Sequence, residues 1–145
     1  MKRTPVRKDV IRIKIAEIIE CIDLVRDHLP ESYDEFSRLG LIKDGIYKRM
    51  EFAIEDVFDI CAIINTDRAL GIPGADEDIL DHLLGARILS QALVEKIHRM
   101  RGFRNIVVHR YGKIDDQLAF TLLHEESGDF AEFIGEIETF LSTFS

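Results

Sequence analysis

An unbroken helical periodicity constrains this chain more than any other feature. From Leu41 to Asn65, apolar residues recur at Ile42, Ile46, Met50, Ala53, Ile54, Val57, Cys61 and Ile64. Those steps of three and four mark an amphipathic helix. A second run, Val10 to Leu29, carries Ile11, Ile15, Ile18, Ile19, Ile22, Val25 and Leu29 at the same spacing, and Pro30 ends it. Only three prolines and nine glycines occur in 145 residues, so long elements are expected.

The remaining punctuation places the other elements. "ESYDEFSRLG" is expected to hold a helical turn before Gly40. Gly71, Pro73 and Gly74 close the longest helix, and Asp76, Glu77 and Asp78 supply acids to the first turn of a short one through Leu84. Ser90 reads as the N-cap of the next helix, with Leu89 and Val94 as a hydrophobic staple. That helix should run to about Tyr111 and stop at Gly112. A segment from Asp115 to His124 and a last helix from about Ser127 to Phe144 complete the chain. No strand-like alternation competes, and no repeat or linker divides it. The expectation is one domain over residues 1–145, an all-α, up-and-down bundle of five or six helices.

Apolar residues make up 46% of the chain and charged residues 32%, enough for a core of its own. Cys21 and Cys61 sit inside apolar-periodic stretches and read as buried thiols in a reducing cytoplasm. "MKRTPVRKDV" has no signal-peptide character, and no apolar run approaches the ~20 residues of a membrane span, so a soluble, cytoplasmic protein is expected. Phe36, Phe52, Phe58, Phe120 and Phe140 read as core. His28 reads as a capping residue, and His82, His98 and His124 as surface residues.

The net charge of −8 argues against a general nucleic-acid coat, because phosphate binding draws on positive charge. Its distribution is uneven. Lys96, Arg99, Arg101, Arg104, Arg110 and Lys113 fall in a segment with no acid, leaving 13 basic residues against all 27 acidic ones elsewhere. On a helix, Arg101, Asn105 and His109 share one i, i+4 row, and Arg104 and Tyr111 an adjacent one. Phe103, Ile106 and Val107 are left to face the core. Histidine exchanges protons near neutral pH, and arginine grips a phosphate through paired hydrogen bonds. The set therefore suits RNA cleavage: attack by the 2′-hydroxyl, proton transfer by His109, charge stabilisation by Arg104, and Asn105 orienting His109. It equally suits a solvated helix end favoured by the macrodipole. No carboxylate–histidine cluster with metal spacing lies nearby, so neither metal nor cofactor is expected. Arg104 and His109 stand about 140° apart on an ideal helix, too far to grip one phosphate easily. A second copy across a two-fold axis would bring both into one cleft. Val108, Leu118 and Phe120 offer apolar surface for such a homodimer.

"FRNIVVHRY" resembles the signature of HEPN-domain ribonucleases. More narrowly, Arg104, four residues, His109, one residue, Tyr111 resembles the motif of HepT toxins. "MEFAIEDVFDICAIIN", "LGIP", "ILDHLLGARILSQALVEKIHRMRGFRNIVVHRYGKID" and the closing helix follow the same family in order. The resemblance implies a HEPN-like homodimeric ribonuclease toxin of a prokaryotic toxin–antitoxin pair. It implies a cognate minimal nucleotidyltransferase antitoxin that transfers AMP to Tyr111. It also implies Arg104 and His109 as catalytic residues, with Asn105 at the polar position. Arg99, Arg101, Arg110 and Lys113 are expected to contact RNA on electrostatic grounds alone. The competing reading is a non-catalytic helical adaptor that holds a nucleotide or presents substrate to a nucleotidyltransferase.

Overall fold

A computed structural model describes residues 5–108 and 114–144. Among them run seven helices: α1 (Lys8–His28), α2 (Tyr33–Ser37), α3 (Leu41–Asp67), α4 (Asp76–Gly85), α5 (Gln91–Val108), α6 (Asp116–Glu126) and α7 (Asp129–Leu141). The architecture is the all-helical one expected. The anticipated helical turn is the five-residue α2, capped by Ser32 Oγ accepting from Glu35 N–H, and it brings the number to seven.

Helices α1 and α3 pack antiparallel along their length. At one end Arg7 meets Asp67, its Nη2 lying 2.9 Å from Oδ1 and its backbone N–H donating to Oδ2 at 3.0 Å. Midway, Lys14 Nζ lies 3.2 Å from Asp59 and 3.7 Å from Asp56. At the other end Leu24 and Val25 line a groove with Ile42 and Ile46. Asp67 is almost wholly buried, and a carboxylate tolerates that only with donors such as these.

The seam is built from the periodic residues. Ile11, Ile15, Ile18, Cys21, Ile22 and Val25 of α1 are buried. In α3 the burial goes beyond one stripe: neighbours such as Ile60 and Cys61, about 100° apart around the helix, both have no exposure. Helix α3 is thus covered from several directions, by α1, α4 and α5. Both cysteines are buried and unbridged. No described helix is long and apolar enough to cross a membrane.

Some side chains differ from expectation. Phe52 is 40% exposed, with Lys48 Nζ 4.9 Å above its ring, because position 52 falls on the open side of the α1–α3 seam. Phe120 and Phe140 are only half-buried at the core's edge, whereas Phe36 and Phe58 are core. His82 has a partner: its Nδ1 lies 2.8 Å from Asn65 Oδ1, while Asn65 Nδ2 donates to Gly71 O. Gly71 has φ +137, and a Cβ there would lie 2.8 Å from His82 Cε1, so glycine is required. His124, exposed as expected, also has a partner in Pro30 O at 2.9 Å.

Burial predicts a sharp contrast between two isoleucines. Ile60→Ala should lower the unfolding free energy by about 2–5 kcal/mol in urea titration. Ile13→Ala, at a site 61% exposed, should change it by less than about 0.5 kcal/mol.

Candidate active site

Helix α5 begins where expected. Ser90 Oγ accepts from Leu93 N–H at 3.2 Å, and Leu89 and Val94 are both buried. Leu93 stands where a capping box would need a carboxylate. Glu136 of α7 supplies it instead, accepting from Ser90 N–H and Oγ at 2.7 Å each. Leu93, Ile97, Met100, Phe103 and Val107 then bury one face of α5, with Ile106 half-buried beside them. That leaves the polar residues facing outward.

The basic residues on that outer face are not equivalent. Lys96 lies 2.7 Å from Glu132 and 3.9 Å from Asp129, both of α7. Arg99 Nε lies 4.0 Å from Glu126 of α6, and Arg101 pairs with Glu77 of α4. Arg104 differs. Its guanidinium carbon sits 5.9 Å from the Phe58 ring centroid, and no carboxylate among the described residues pairs with it. Asn105 is exposed on the same helix. His109, Arg110, Tyr111 and Lys113 lie outside the described residues.

The chain re-enters at Ile114, packed against the core, and is fixed at once. Asp115 Oδ1 caps α6 by accepting from Leu118 N–H at 3.0 Å. Asp116 accepts from Tyr47 Oη at 2.5 Å and from Lys43 Nζ at 2.8 Å. Burial pushes the Asp116 carboxyl up, but the two hydrogen bonds and the Lys43 charge outweigh it and hold the group below its usual range. Burial, and then the bond to Asp116, push the Tyr47 phenol well up. Since Phe103 packs on Tyr47 with centroids 6.4 Å apart, the described residues on either side of 109–113 both rest on α3.

Sequence reasoning missed Phe58, Tyr47 and the carboxylates facing α5. Phe58 reads only as core from its spacing, and the carboxylates come from three separate elements. No group of three or more His, Cys, Asp or Glu among the described residues is placed to hold a metal ion. A cleft of about 930 Å³ opens beside Arg68, Arg87, Phe140 and Phe144 at the Ser90 end of α5. Arg104 is about 20 Å along the helix from there, so that cleft is separate from the candidate site.

Comparison with known proteins follows the same lines. The model of the family described as "Ribonuclease HepT-like" matches residues 18–137. The mRNA nuclease HepT of Shewanella oneidensis is 28% identical over 130 residues, which are 90% of this chain and 97% of that protein. The tri-AMPylated Shewanella oneidensis HEPN toxin, solved in complex with its MNT antitoxin, superposes with a TM-score of 0.81 at 27% identity. That match covers 90% of this chain and 98% of the other. A toxin–antitoxin crystal structure with AMP-PNP gives a TM-score of 0.82 at 27% identity, with the same coverage.

The carboxylates facing α5 predict a pH dependence. Burial, and then the Asp129 charge, push Glu126 up to about 7, with Arg99 offsetting only part. An acid held above its usual value binds a proton more tightly folded than unfolded. Its contribution to stability is therefore present at low pH and lost as pH rises from about 4.5 to about 7. Against wild type, Glu126→Gln should flatten the stability profile over that window, read from thermal melts at closely spaced pH.

Proposed function

The chain belongs to the HepT-like ribonuclease family, and from that membership we propose a cytoplasmic toxin of a toxin–antitoxin pair, cutting RNA without a metal in a cleft shared by two copies. One observation carries the assignment of the site. Of the cationic residues described on α5, Arg104 is the one with no carboxylate partner, which leaves it to take a phosphate.

In this mechanism the ribose 2′-oxygen loses its proton to His109 as it attacks the neighbouring phosphorus. Arg104 stabilises the charge on the pentavalent centre. The bond from phosphorus to the 5′-oxygen breaks, and that oxygen takes the proton that His109 received. The products are a 2′,3′-cyclic phosphate and a free 5′-hydroxyl. Asn105, four residues earlier in the sequence, orients His109. The five-residue spacing of Arg104 and His109 makes the shared cleft the economical geometry, because on an ideal helix that spacing sets two residues about 140° apart.

Arg99, Arg101, Arg110 and Lys113 extend the contact to RNA. Arg101 would exchange Glu77 for a phosphate, a small loss, since such surface pairs contribute about 0–1 kcal/mol, and Arg99, 4.0 Å from the buried Glu126, would turn its exposed guanidinium to the RNA. Regulation falls to a cognate nucleotidyltransferase. The Tyr111 oxygen attacks the α-phosphorus of ATP, pyrophosphate leaves, and AMP remains on the tyrosine. By the seven-residue spacing of Arg104 and Tyr111, that would put bulk and negative charge in the row of Arg104 and oppose an incoming RNA phosphate. The Shewanella toxin, itself tri-AMPylated in complex with its antitoxin, supports this part of the reading.

The test is RNA cleavage in EDTA, using protein that mass spectrometry shows to be free of added AMP. Arg104→Ala and His109→Ala should each lower cleavage by about 100-fold or more while leaving the melting temperature near that of wild type. Unmodified wild type that cuts none of a varied set of RNAs would favour the adaptor instead.

A further inference from the structure

We propose that Phe58 is the positioning residue for Arg104, holding the guanidinium at its ring face while leaving the N–H donors free for an RNA phosphate. The inference rests on the ribonuclease reading and adds a residue of α3 to the site. Phe58 is 6% exposed, embedded in α3 beside the fully buried Val57. Its ring is thus fixed by the core, and the guanidinium carbon of Arg104 lies 5.9 Å from its centroid. The preceding residue, Phe103, is 2% exposed and packs on Tyr47, also of α3. The α3 helix therefore fixes Arg104 twice, at its backbone through Phe103 and at its charged end through Phe58.

The contrast with the other cations of α5 gives this arrangement its meaning. Lys96 and Arg101 hydrogen-bond to carboxylates that compete with a phosphate for their donors, and Arg99 lies 4.0 Å from the Glu126 carboxylate. An aromatic face attracts a cation through its quadrupole and takes no N–H group. An arginine side chain carries about 2 kcal/mol of rotamer entropy, and restraining it in advance reduces what RNA binding must supply. Phe58 restrains Arg104 without competing for it. Leucine would fill much of the same volume but would give the guanidinium no face.

The experiment compares Phe58→Leu, which removes the ring, with Phe58→Tyr, which keeps it, in RNA cleavage and thermal melts. The same substitutions are repeated on Arg104→Ala. A positioning role predicts that Phe58→Leu lowers kcat/KM about fivefold, that Phe58→Tyr stays near wild type, and that Phe58→Leu adds no further loss on Arg104→Ala. Equal losses in the leucine and tyrosine variants, or a full additional loss on Arg104→Ala, would overturn it in favour of plain packing. A second readout needs no activity: the Arg104 Nε–Hε proton resonance should be shifted by the ring in wild type, lose that shift in Phe58→Leu and keep it in Phe58→Tyr. Wild type that cuts no RNA would count against the ribonuclease reading, while an Arg104 resonance indifferent to Phe58→Leu would overturn the positioning role itself.

Discussion

The helices that frame the candidate site, α1, α4 and α5, are placed by what they pack against on α3. A helix with a single apolar stripe lies on a surface, but α3 buries Tyr47, Ile54, Val57, Ile60, Cys61 and Ile64 and so forms a centre. Helix α1 runs antiparallel along it, clipped by Arg7 to Asp67 and by Lys14 to Asp56 and Asp59. Helix α5 rests on another side, and the start of α6 is tied to it through Asp116, Tyr47 and Lys43. Rigid core thus lies on both sides of the segment that carries His109 and Tyr111.

Charge is the second organising term. An acidic chain with one basic helix could neutralise that helix against its own surface, and α5 is largely neutralised. Glu77, Glu126, Asp129 and Glu132, from three elements, take up Lys96, Arg99 and Arg101. Two of those carboxyls are buried enough that their protons are held more tightly than usual. Arg104 is the exception among them. Its contact is a ring, and a ring constrains a guanidinium without satisfying it.

The parts of this fold legible in the sequence were those set by local physics. Apolar spacing located α1 and α3 to within two residues at each end, and Ser90 marked the start of α5 because caps are local chemistry, while the expected stop at Gly112 lies outside the described residues. The motif itself was legible for the same reason, its residues lying within one short segment. What was not legible was anything joining distant positions. His82 has no partner in sequence, and Asn65 becomes one only when α4 folds back on the end of α3. Phe52 and Phe58 share the same apolar character, yet one faces solvent and the other carries Arg104, because only assembly decides which side of α3 stays open. Likewise, Asp116 gains its meaning from Tyr47 and Lys43, about seventy residues earlier.

The central claim is that Arg104 and His109 act together in a cleft built from two chains. The most direct measurement mixes Arg104→Ala and His109→Ala chains, refolds or co-expresses them as mixed dimers, and compares RNA cleavage with each parent alone. A shared cleft keeps one intact arginine and one intact histidine in the mixed dimer, so activity should return where both parents are inactive. A mixed dimer as inactive as its parents would place the chemistry within single chains and contradict the account.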